Sequence, residues 1–61
     1  MINRSRVIAS LLMMFTAEHG TCPDWLVKLQ NDADDATLIA RLANWRKNYP
    51  HHYQQYGVYV M

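Results

Sequence analysis

The side chains able to do chemistry in this sequence are few and scattered. One cysteine, Cys22, follows His19 with two residues between them, and His51 and His52 stand side by side near the other end. A thiol near a histidine can form a nucleophile–base pair. Four nitrogen and sulfur donors can hold zinc tetrahedrally, which would help so short a chain to fold. Neither set is complete. Adjacent histidines seldom both reach one ion, and the chain contains no C-x-x-C knuckle. A body of 61 residues also has little room for a nucleophile, an oxyanion site and a substrate cleft together. The acids Asp32, Asp34 and Asp35 fall where a helix start wants them, not as a carboxylate pair in an apolar setting. The expectation is a protein with no catalytic residue, no metal, no cofactor and no small-molecule substrate. On that reading His19 ends a helix, Cys22 is a small residue at a helix start, and His51 and His52 are solvated.

Two larger constellations concern macromolecules. Trp25, Trp45, Tyr49, Tyr53, Tyr56 and Tyr59 are many large rings for a short chain. Trp25 and Trp45 read as core. Tyr53, Tyr56 and Tyr59 fall in a tail, where Val58, Val60 and Met61 add apolar surface that needs cover. Tyrosine, tryptophan, methionine and arginine are enriched at the centres of protein interfaces. Arg46, Tyr49, Tyr53, Tyr56 and Tyr59 are therefore the expected contacts for a protein partner or for a second copy of the chain.

The other constellation is polar: Thr37, Arg41, Asn44, Lys47 and Asn48 lie along one predicted helix. Arginine and asparagine read base edges well. Three helices and an extended tail have the outline of a winged helix-turn-helix, with the third helix in the major groove. That DNA reading is the alternative, and three features oppose it. Asp34 and Asp35 would meet the phosphates first, the turn "QNDADD" lacks small and apolar positions, and the tail carries no lysine or arginine. Six basic residues against five acidic ones leave a net charge of +1, without the basic excess of a strong nucleic-acid or anionic-membrane binder.

These residues must be positioned by helices. Val7, Ile8, Leu11, Leu12 and Phe15 recur at helical spacing, Met14 widens the stripe, Asn3 or Ser5 can cap its start, and Gly20 can end it. A helix over about 5–19 follows. Thr21, Pro23 and Asp24 read as a cap, first turn and capping box for a short helix over about 23–30. Trp25, Leu26 and Leu29 would be its apolar face, with Asp24 and Lys28 paired on the other side. Asp32 or Asp34 caps a third helix over about 34–48, with a seam of Leu38, Leu42, Trp45 and Tyr49 that Pro50 stops. Residues 50–61 form an aromatic tail. Pro50 could open a last turn ended by Gly57, or "GVYVM" could make a short strand.

The fold class expected is all-α: one compact three-helix domain over residues 1–61 with a short aromatic tail. At 51% hydrophobic residues the chain is far from disorder, and a lone cysteine excludes an internal disulfide. Arg4, Arg6 and the run Val7–Phe15 imitate an export signal. Phe15 is too bulky for its place before a cut after Ala17, and the run falls short of the roughly 20 residues that span a bilayer. The sequence is thus read as a cytoplasmic, non-enzymatic accessory protein, a regulator or inhibitor of the phage or mobile-element kind. It would dock on a partner through its third helix and tail. A structural homodimer subunit is the third reading.

Overall fold

The first helix, α1, spans Arg4–His19, and both its ends follow from local chemistry. Asn3 stays extended and its side-chain oxygen accepts the Arg6 N–H at 3.2 Å. At the other end Gly20 takes φ +78, the left-handed region, and its N–H donates to the Thr16 carbonyl at 2.7 Å. This computed structural model describes residues 3–57, so the expectations placed on Val58, Tyr59, Val60 and Met61, the strand included, lie outside the described residues. After α1 come α2 (Asp24–Asp32), α3 (Asp35–Asn48) and α4 (Pro50–Tyr56). The described residues are all-helical, in line with the all-α expectation, but form four helices where three were expected.

The fourth helix comes from Pro50. It ends α3 because a proline disfavours helical geometry at the residue before it, and Tyr49 accordingly has φ −134 and ψ 62. The same proline is well placed as the first residue of a new helix, since its missing N–H would go unpaired there anyway. Tyr49 serves both elements: its N–H donates to the Trp45 carbonyl at 2.8 Å, and its own carbonyl accepts the Tyr53 N–H at 3.0 Å. The described part of what composition presents as a tail is therefore two helical turns, α4, folded back onto the body. Tyr53 and Tyr56 pack against the core.

The core is built on α1, which lies against α2, α3 and α4, while α3 also meets α4. Val7, Leu11 and Met14 from α1 join Leu38 from α3 in one buried cluster. Ile8, Leu42, Trp45, Tyr53 and Tyr56 pack half-buried around it. The buried line of α1 is Val7, Ser10, Leu11 and Met14, while Ile8, Leu12 and Phe15 take its half-buried flanks. A serine sits in that line because α4 ends against it. The Ser10 hydroxyl donates to the Tyr56 carbonyl at 3.1 Å, filling one of the acceptors every helix end leaves open. The radius of gyration, 10.5 Å, is what about 60 residues give at globular packing density.

The second helix departs most from expectation. Its cap is Pro23, in extended conformation and with no side-chain cap, so the Thr21–Asp24 capping box does not form. The Asp24–Lys28 ion pair is absent too, since the ion pairs among the described residues are Arg4–Asp35 and Glu18–His52. Leu26 and Gln30 are its buried residues, whereas Trp25 is 63% and Leu29 45% exposed. Gln30 tolerates burial because its side-chain oxygen accepts from Arg41 Nη1 at 2.9 Å. The turn into α3 is held by Arg4, which donates to Asp35 Oδ1 at 2.6 Å, to the Ala33 carbonyl at 2.6 Å and to the Asn31 carbonyl at 3.3 Å.

Candidate functional site

Ile39, Leu42, Ala43 and Arg46 stand at i, i+3, i+4 and i+7 on α3, so they form one stripe. With Tyr53 of α4 they line a groove of about 180 Å³. The exposed Arg46 guanidinium lies 5.6 Å from the centre of the Tyr53 ring, a cation–π arrangement at the groove's rim. Tyr53 is held from behind by Gly57, where even a β-carbon would come within 2.5 Å of the ring. Ile39 remains 47% exposed.

Of the five residues expected to contact a partner, the fold brings Arg46 and Tyr53 together here. Tyr49 faces elsewhere, 4.6 Å from the Trp45 ring and 6.0 Å from that of His52. Tyr56 lines a separate groove of about 350 Å³ with Leu12, Met13, Thr16 and Ala17. Tyr59 lies outside the described residues. Among the described tyrosines the expected single docking surface divides into two faces, because α4 lies against both α1 and α3, so Tyr53 borders the α3 groove while Tyr56 borders α1. Ile39 is the residue sequence reasoning passed over. It interrupts no pattern, and its only signal is an isoleucine off the Leu38–Leu42–Trp45 seam.

The polar stripe is largely occupied by contacts within the chain. Arg41 holds Gln30 across α2, and Asn48 Nδ2 donates to Asn44 Oδ1 at 2.7 Å. The N–H of Thr37 donates to Asp34 Oδ1 at 2.8 Å. A side-chain hydrogen bond from Thr37, together with this backbone cap and the charges of Arg4 and Arg41, holds the Asp34 carboxyl below the ordinary aspartate range. Lys47 is exposed near the end of α3.

A third arrangement joins the ends of α1 and α4. His52 Nε2 donates to Glu18 Oε2 at 2.8 Å, across 34 positions of sequence. The His51 ring lies against that of His52, with centres 4.1 Å apart, and one donor atom from each of Glu18, His51 and His52 falls within 4.8 Å of the others. The set of His19, Cys22, His51 and His52 weighed from sequence does not assemble: His19 stacks on Phe15 at 4.3 Å, and Cys22 is exposed.

No helix among the described residues is long and apolar enough to cross a membrane. Compared with protein-family models, curated proteins and solved structures, the chain finds no match.

Proposed function

We propose that this protein is a non-enzymatic binding module, an accessory regulator or inhibitor, that docks on a protein partner through the α3–α4 groove. The observation that carries the reading is Ile39. A large aliphatic side chain stands nearly half exposed beside Leu42, Ala43 and Tyr53, on a body whose other isoleucine in a described helix, Ile8, packs against the core. Removing such surface from water is worth about 25 cal/mol per Å², and a groove with one aromatic wall favours an inserted apolar side chain. The rim supplies direction. Arg46 and Lys47 make this end of α3 positive, so the matching segment carries an apolar anchor with an acidic residue beside it. The DNA alternative has less support, because Arg41, Asn44 and Asn48 are bonded within the chain.

The test places a photo-crosslinking residue at Ala43 and irradiates the protein in cells that make it naturally, with nuclease added on lysis. Linkage to an apolar segment flanked by Asp or Glu, lost in Ile39→Asp while helical circular dichroism persists, is the expected result. Linkage to a second copy of the chain, linkage that Ile39→Asp leaves intact, or none at all would overturn it.

A further inference from the structure

The geometry points to a zinc-class metal site formed by Glu18, His51 and His52 that clips the end of α1 to the start of α4. The three donor atoms lie within 4.8 Å of one another, and the Glu18–His52 pair stands at 2.8 Å. Donors about 2.0–2.2 Å from an ion at tetrahedral angles stand about 3.3 Å apart. The Glu18–His52 pair stands somewhat below that value and the other two pairs lie within 4.8 Å, so small side-chain adjustments seat an ion. When it binds, the proton that His52 Nε2 shares with Glu18 moves to the ring's other nitrogen, and the ion takes its place between the two groups. Water completes the fourth position.

Neighbouring residues on a helix ordinarily point about 100° apart, which is why adjacent histidines make a poor ligand pair in sequence. Here their rings converge because the packing holds one of them. Tyr49 stacks on His52 at 6.0 Å and 29°, and Trp45 meets it edge-on at 6.4 Å, so His52 is fixed toward α1. His51 is exposed and free to rotate into place against it. The chemistry of the set selects the ion. Two imidazoles and one carboxylate suit borderline divalent ions such as Zn²⁺. Mg²⁺ and Ca²⁺ want oxygen donors throughout. The two helix ends oppose each other electrostatically, the α1 C-terminus favouring a cation and the α4 N-terminus disfavouring one, so the donors decide. Because Glu18 meets the histidines only in the folded chain, occupancy stabilises the fold by linkage.

The experiment is calorimetric titration of the tag-free 61-residue chain with ZnCl₂, alongside thermal melts in ZnCl₂ and in MgCl₂. One Zn²⁺ per chain is expected, with a rise in melting temperature that Mg²⁺ does not produce. His51→Ala, at an exposed position, and Glu18→Gln, which keeps an acceptor for His52, should each weaken binding at least about tenfold, the effect of losing even an outer-shell partner. His19→Ala and Cys22→Ser should bind as the wild type does. Absence of Zn²⁺ binding, binding that survives both ligand variants, loss of binding in Cys22→Ser, or one ion shared by two chains would overturn the assignment.

Discussion

Truncating Leu38 to alanine should bring this domain close to unfolding, while truncating the much larger Trp25 should leave it nearly as stable as before. Leu38 is fully buried where α3 meets Val7, Leu11 and Met14 of α1. Removing a buried leucine costs about 2–5 kcal/mol, the spread reflecting how far the site can collapse. Net stability runs at roughly 0.05–0.15 kcal/mol per residue, which gives about 3–9 kcal/mol for a chain this long. The core is thin, with Val7, Leu11, Met14, Leu26 and Leu38 its buried apolar residues among those described, so little slack exists to fill the gap. A loss of about 3 kcal/mol lowers the melting temperature of a 60-residue domain by about 12–24 °C. Trp25 is 63% exposed, so Trp25→Ala behaves as a surface change, and alanine's better helix propensity returns part of what is lost. Its cost should stay within about 1 kcal/mol. Urea unfolding followed by far-ultraviolet circular dichroism compares the two, since fluorescence would change with the loss of an indole. If Trp25→Ala proves the more damaging, or Leu38→Ala costs under about 1 kcal/mol, the packing of α1 on α3 described above is wrong.

Two further outcomes probe the contacts that join helix ends. Ser10→Ala removes a buried hydroxyl that donates to the Tyr56 carbonyl and should cost about 1 kcal/mol by urea unfolding, with the Tyr53 and Tyr56 ring resonances shifting by NMR because α4 loosens. Asp34 is held below the ordinary aspartate value of 3.8 by its Thr37 hydrogen bonds, so the unfolded state takes up the proton first. The stability it contributes is complete above that value and is lost as the pH falls through the folded pKa. Asp34→Asn keeps a side-chain cap but cannot titrate, and acid melts of the variant should show a shallower decline than wild type; an unchanged decline would assign it to other carboxylates.

Much of the candidate groove is hidden in the sequence for a simple reason. Arg46 and Tyr53 are legible because their types are common in interfaces, but nothing in the chain says that they face each other across seven positions and a break at Pro50. Ile39 reads as part of a generally apolar helix. Glu18 reads as an ordinary last-turn residue of α1, since its partners lie more than 30 positions away.

The sequence by itself determined the ends of α1 and α3 and the break at Pro50. Asn3, Gly20, Asp34 and Pro50 act on backbone groups within a few residues of themselves, so their effects need no knowledge of the rest of the chain. Only the tertiary structure decided which flank of each helix is covered. Ser10 and Gln30 are buried and Trp25 is exposed because a helix end, an arginine or open water happens to stand opposite them. Hydrophobic periodicity defines a stripe to within about one residue's rotation, and a polar side chain enters it whenever a distant partner satisfies its hydrogen bonds.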